Sequence, residues 1–146
     1  MIKKITKFIT PIVTSTIITT IILLGYFYLA HGIPLVHEMG RDNIASVQLM
    51  QGNKTITLTD DEDIEQAVNV VKVLSFRFGE ANGGPADTTC TFNLRDGSKI
   101  EIGASNDTIF KNGKQHAGMN DSCRLFGNLM QAIFFPETLQ DGKLYN

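Results

Sequence analysis

Two hydrophobic patterns divide the chain. Phe8 to Ala30 is an uncharged run of 23 residues whose apolar bulk comes from Ile9, Ile12, Val13, Ile17, Ile18, Ile21, Ile22, Leu23 and Leu24. As a helix the run is about 34 Å long, enough to cross a hydrocarbon core of about 30 Å. Lipid offers backbone N–H and C=O groups no partner, so a lone apolar run of this length is predicted to be helical despite its β-branched residues. Pro11 falls in the first turn, where a missing N–H costs little. Tyr26, Phe27 and Tyr28 gather at the far end, as interfacial aromatics do.

From residue 44 onward the pattern becomes that of a folded domain. Ile44–Met50 alternates around Val47 and Leu49, Gly52-Asn53 turns the chain, and Thr55–Thr59 alternates again with Ile56 and Leu58 inward. That spacing predicts a hairpin. Thr59-Asp60-Asp61-Glu62 reads as a capping box with Thr59 at the N-cap, opening a helix over Asp60–Ser75 whose stripe is Ile64, Val68, Val71 and Leu74. Its leading acids suit the positive end of the helix dipole. Phe76 and Phe78 flank Arg77 with period two, as in a short strand. Thr88–Leu94 and Lys99–Gly103 flank Arg95-Asp96-Gly97-Ser98, and an Asp-Gly between alternating runs is a strong hairpin signal. A smaller hairpin, Thr108–His116, turns at Asn112-Gly113. A last helix begins near Asn120-Asp121, carries the stripe Cys123, Phe126, Met130 and Ile133, and stops at Pro136. Short hairpins imply antiparallel pairing, so the expected fold class is α+β: an antiparallel sheet of about five or six strands with two helices on one face, in the order ββα(β)ββββα.

The resulting organisation is a basic N-terminus (1–7), a transmembrane signal-anchor helix (8–30), a juxtamembrane spacer (31–43), an α+β domain (44–136) and a polar tail (137–146). Lys3, Lys4 and Lys7 precede the apolar run and every carboxylate follows it, so the positive-inside rule places the N-terminus in the cytoplasm and the domain outside. A cleaved signal peptide is the rival reading. The run is longer than an h-region of about 7–15 residues, and Tyr28 stands where a cleavage site wants a small residue. Ser15/Thr19 and Thr16/Thr20 have the spacing of small-residue helix contacts, but threonine hydroxyls also bond their own helix's carbonyls, which is the simpler expectation.

Charge and motif content narrow the chemistry. Beyond the apolar run there are 10 basic and 15 acidic side chains, a net of −5, which argues against nucleic acid as a partner. Cys90 and Cys123 are the only cysteines and both fall on inward stripes. A disulfide between them would contribute about 3–4 kcal/mol; two buried thiols acting as small hydrophobes is the alternative. Asp60–Glu65 lacks the central glycine of a calcium loop, and His31, His37 and His116 lack zinc-site spacing. Asn53-Lys54-Thr55, Asn106-Asp107-Thr108 and Asn120-Asp121-Ser122 match the glycosylation sequon but sit in turns that favour such residues anyway. No nucleophile elbow, S-x-x-K or phosphate loop is present. No catalytic residue, metal ligand or cofactor is therefore expected. The loop Asn82, Gly83, Gly84 and Pro85 and the sheet edges are the expected contact surfaces.

The segments ITLTDDEDIEQAV (Ile56–Val68), LRDGSKIEI (Leu94–Ile102) and IFKNGK (Ile109–Lys114), with the terminal amphipathic helix, resemble a loose group of small, uncharacterised, membrane-anchored or lipidated extracytoplasmic proteins of Gram-positive bacteria. The resemblance covers about Ile44 to Phe135, implies a cell-envelope address and carries no catalytic residue; the acylated cysteine of lipidated members is missing. The expected function is a membrane-tethered, non-catalytic binding module with a protein partner at the outer membrane face, as an immunity-type inhibitor or an accessory subunit. An envelope enzyme acting on cell-wall or peptide substrates is the alternative, and would require a deep pocket with convergent ionisable groups.

Overall fold

The structure is a computed structural model. It describes residues 2–36, 39–81, 83–119 and 121–137, with side chains from Val13 onward. The chain divides into two units between Gly32 and Ile33.

The first unit is one helix, α1 (Ile2–His31), and its stretch Val13–His31 is long and apolar enough to be a candidate membrane span. Those 19 residues rise about 28 Å, and the side chains from Val13 to Leu29 are exposed. Thr19 and Thr20 donate their hydroxyls to the carbonyls of Ser15 and Thr16, each at 2.9 Å. Such back-bonding satisfies a polar side chain inside an apolar helix. Phe27 stacks on His31, with ring centroids 4.7 Å apart. Gly32 then closes the helix at φ +76, donating its N–H to the carbonyl of Tyr28 at 2.9 Å. A left-handed residue just past the last turn is the usual helix stop, and glycine adopts it without strain. Lys3, Lys4 and Lys7 lie on the opening turns of this helix.

The second unit is built on eight strands: β1 (Ile33–Pro34), β2 (Ile44–Gln51), β3 (Lys54–Leu58), β4 (Ser75–Arg77), β5 (Thr88–Leu94), β6 (Lys99–Ser105), β7 (Thr108–Lys111) and β8 (Lys114–Gly118). All neighbours are antiparallel, in the order β1-β4-β8-β7-β6-β5-β2-β3. Helix α2 (Asp61–Val71) connects β3 to β4, and α3 (Ser122–Phe134) follows β8. The α+β class, the antiparallel pairing and the hairpins at Gly52-Asn53, Arg95–Ser98 and Asn112-Gly113 agree with the sequence pattern.

The strand number does not agree: among the described residues there are eight, against the expected five or six. Seven of them are those of the expected order ββα(β)ββββα when the segment at Phe76 and both arms of the Thr108–His116 hairpin are counted; the eighth is β1, a two-residue strand ending in proline that pairs with β4 through Ile33–Phe76 and Pro34–Ser75. It has no alternation to read, since long-range backbone bonds alone define it. With it, residues 33–36 and 39–43 of the expected spacer belong to the second unit. Leu35 is buried and donates its N–H to the carbonyl of Leu74, and Val36 and Met39 pack on the core. His37 lies outside the described residues.

The helices also differ in detail from expectation. The N-cap of α2 is Asp60 rather than Thr59, its carboxylate accepting from the N–H of Glu62 at 2.9 Å. The helix ends at Val71, four residues early. There the chain tightens into two three-residue turns, Val73 to Val70 and Leu74 to Val71, which still bury Leu74. Asp121 flanks α3 without a side-chain capping bond, and Asn120 lies outside the described residues. Along α3 the buried face is Cys123, Phe126, Gly127, Met130 and Gln131, while Ile133 is 41% exposed. Phe78 lies past the end of β4 and is 85% exposed.

Register fixes the two faces of the sheet. Leu49, Cys90, Ile102 and Lys111 stand in one row, and Val47, Phe92 and Ile100 in the next. With the helix residues Ile64, Ala67, Val68, Val71, Phe126 and Met130 these rows form the core, Lys111 excepted. A bulge between Ile44 and Ser46 in β2 lets Ile44 and Val47 both face inward and turns Ala45 out.

Candidate binding surfaces

On the face away from the helices the rows read Thr57, Gln48, Thr91, Glu101 and, one residue pair along, Thr55, Met50, Thr89, Gly103, Phe110, Gln115. Gln48, Met50, Thr55, Thr57, Glu101 and Gln115 are exposed; Thr89, Thr91 and Phe110 are half-buried. Beside these rows, Asn93 donates to the hydroxyl of Ser46 at 3.0 Å. Threonine and glutamine on such a face keep β-propensity while staying wettable. The outcome is a flat polar surface with two apolar side chains, Met50 and Phe110, set into it.

One end of that face is closed by the loop that the sequence offers as a contact surface. Gly83 lies directly against Thr108, where any Cβ would collide with its side chain. Ala86 lies over Gly103, whose own Cβ would come within 2.8 Å of it. Asp87 accepts from the hydroxyl of Ser105 at 2.7 Å, donates its N–H to the carbonyl of Ala104 and accepts from the N–H of Gly52. Ser105 and Thr108 are buried as a consequence. Gly84 and Pro85 remain exposed at the crest, and Asn82 lies outside the described residues. The loop is thus a strap over β6 and β7 that presents only its tip.

Cys90 and Cys123 are free, buried thiols that the fold does not bring together. Cys123 Sγ lies over Gly118 on β8, whereas Cys90 sits on β5 with β6 and β7 between. Three strand spacings amount to about 14 Å, against the roughly 4.4–6.8 Å between Cα atoms that a disulfide spans. Periodicity turns both stripes inward but encodes no lateral separation between them. Burial pushes the Cys90 thiol well up from its usual pKa. It also raises that of Cys123, countered by a hydrogen bond with Ser122 and reinforced by the charge of Asp107. Thiols held protonated in this way are poor nucleophiles and poor ligands. Among the described residues no three His, Cys, Asp or Glu side chains converge as a metal site requires. His116 faces inward at the edge of the core, its ring 5.0 Å from that of Phe76.

On the helix-covered side there is a hollow of about 230 Å³. Val36, Met39, Gly40, Asn43, Leu94, Ile100 and Lys111 line it. Lys111 donates to the carbonyl of Leu35 at 3.0 Å, and Asn43 is tied down by the N–H of Arg95 on its carbonyl at 2.9 Å. Arg41, one turn away, pairs with Asp61 and more loosely with Glu65 of α2. The hollow could not be found from sequence because four of its lining residues, Val36, Met39, Gly40 and Asn43, come from the expected spacer. Its one sequence signal is in β7: Ile109 and Lys111 share a face, so the hairpin that buries Ile109 also turns a lysine inward.

The chain matches no protein-family model, no curated protein and no solved structure.

Proposed function

We propose that this chain is a membrane-tethered, non-catalytic binding module whose domain engages another protein at the outer face of a cell membrane. The observation that carries the reading is the sheet's second face, opposite the one packed by α2 and α3 and bordered by the unpaired edge of β3. Five strands about 4.8 Å apart and some 20 Å long offer roughly 500 Å² before side-chain relief is counted. That approaches the roughly 600 Å² per partner of the smaller specific interfaces. Exposed Met50 and half-buried Phe110 supply apolar anchors within a polar surround, the anatomy of an interface with a few dominant side chains. The net charge of −5 beyond the apolar run speaks for a protein surface rather than nucleic acid. The address rests on the single apolar helix and the three lysines before it, which orient the domain outward under the positive-inside rule. An inhibitor of a secreted toxin and an accessory subunit of an envelope complex both fit this reading.

The test places a photo-crosslinking residue at Met50 or Thr91 in membranes of the native cell. A defined protein adduct that disappears with Thr57→Arg or Gln48→Arg supports the reading. No adduct from this face, with the variants still folded, rejects it. A membrane-impermeant maleimide on Met50→Cys checks the orientation separately: labelling in intact cells is expected, and labelling only after lysis reverses the topology.

A further inference from the structure

Phe78 is the most exposed large apolar side chain described in the second unit, at 85% against 41–47% for Met50, Leu125 and Ile133. A single exposed apolar residue is ordinary on a protein surface, so its place in the chain decides what it means. Strand pairing sets that place. α1 ends at His31 and β1 begins two residues later, at Ile33. β4 lies antiparallel to β1 with Phe76 opposite Ile33, so it runs back toward the point where β1 starts. Two residues reach at most about 7 Å, paired Cα atoms stand about 4.5–5.5 Å apart, and two strand residues rise about 6.6 Å. Connectivity alone therefore keeps Phe78 within about 20 Å of His31, the last residue of the candidate span, whatever angle the helix makes. Residues 78–79 bend the chain out of the strand, with Gly79 at φ +148, which glycine adopts freely. Phe78 thus stands at the turn itself.

Two cations accompany it. Arg77 is exposed next to it in the chain. β8 is antiparallel to β4 with Ala117 opposite Arg77, so exposed Lys114, the first residue of β8, lies past the end of β4 at the same end of the sheet. Glu80 is the one carboxylate of residues 75–81. An aromatic ring with basic neighbours suits a membrane interface, where the ring sits at headgroup level and the cations meet anionic lipid. We propose that Phe78, with Arg77 and Lys114, is a second membrane contact of this protein: the ring enters the interfacial layer of the bilayer that α1 crosses, and the two basic groups lie against anionic headgroups. The inference rests on α1 as a membrane anchor; it is independent of the partner proposed for the open sheet face. Removing a phenylalanine side chain from water is worth about tenfold or more in an equilibrium constant, and each basic residue at an anionic surface about fivefold. A free domain would not stay on a membrane for so little. Tethered through two residues, it docks intramolecularly, at high effective concentration.

The chain contains no tryptophan, so Phe78→Trp makes a single fluorescent reporter, with Met50→Trp and Leu125→Trp as exposed controls elsewhere on the domain. Each full-length variant is reconstituted in vesicles of phosphatidylcholine and phosphatidylglycerol that contain a lipid spin-labelled near the top of its acyl chain. The Phe78→Trp emission is expected to be blue-shifted, quenched by the spin-labelled lipid and shielded from acrylamide in the water; the controls should show the reverse. Adding Arg77→Gln or Lys114→Gln to the Phe78→Trp chain should lower the ratio of lipid-quenched to water-exposed reporter by about fivefold. Vesicles of phosphatidylcholine alone should lower it further than either substitution. Emission from Phe78→Trp that matches the controls, in protein that stays in the vesicles through an alkaline carbonate wash, overturns the inference and leaves the anchor standing. Protein released by that wash overturns the anchor and the inference with it. Lipid quenching unmoved by both substitutions and by the loss of phosphatidylglycerol would overturn the roles given to Arg77 and Lys114.

Discussion

Replacing Gly118 by alanine probes the packing of α3 on the sheet at one atom. A Cβ built there stands 2.5 Å from Cys123 Sγ and 2.9 Å from the carbonyl oxygen of Asp107. The sulfur contact falls about 0.9 Å short of ordinary van der Waals distance. Neither neighbour yields easily, since Cys123 is 4% exposed and Asp107 O already accepts the N–H of Gly118. Overpacking of this kind costs about 1–3 kcal/mol. Cys123→Ala alone removes one buried heavy atom and should cost about 0.5–1.5 kcal/mol, as methyl deletions do. In the double variant the new methyl takes the space the sulfur leaves, so only the carbonyl contact persists. The pair should then be less destabilised than the sum of the singles by about 1 kcal/mol, beyond the 0.3–0.5 kcal/mol scatter of independent sites. Urea unfolding followed by circular dichroism supplies the four free energies. Strict additivity would show that Cys123 Sγ does not lie over Gly118, and the separation of the two thiols would lose its basis.

The thiols themselves give a second test: under non-reducing conditions the intact mass should carry both as free sulfhydryls, and both should react with Ellman's reagent quickly only after unfolding. A mass lower by two hydrogen atoms would refute the placement of Cys90 and Cys123 three strands apart. The β5–β6 turn provides a pH prediction. The Ser98 hydroxyl and N–H on the Asp96 carboxylate hold its pKa below the ordinary 3.8. Because the folded value is the lower one, Asp96 stabilises the turn above the ordinary value and that contribution is lost as pH falls through the folded value. An NMR titration of Asp96 and of the Ser98 amide should therefore show a shared midpoint below 3.8; a midpoint at or above it would contradict the turn geometry.

Local signals reported most of the fold correctly because the elements they mark are held by neighbours in sequence. The turns at Gly52, Gly97 and Gly113 all carry positive φ, and each joins strands that pair directly. Inward residues such as Val47, Leu49, Cys90, Phe92, Ile102 and Phe126 also emerged from periodicity, since burial on one face is what period encodes. Features that depend on distant partners did not. Pro34 reads as linker until Ser75 is placed opposite it. The loop around Gly83 reads only as a loop until Thr108 and Gly103 are placed beneath it. The hollow needs Val36, Met39, Gly40 and Asn43 brought beside the register that turns Lys111 inward. Two cysteines on inward stripes satisfy the alternation whether neighbours or three strands apart, so the pairing question had no answer in the stripe.

The two edges of the sheet are unlike. One is β1, two residues long and ended by Pro34, which lacks the N–H that a neighbouring strand would accept from. The other is β3, five residues of Lys-Thr-Ile-Thr-Leu with its outer side unpaired in the sheet order. A sheet with one receptive edge and one capped edge has a valency of one for strand exchange. Head-to-tail propagation needs two complementary edges per copy, so strand pairing along β3 terminates at a pair of bodies and cannot run on into a filament.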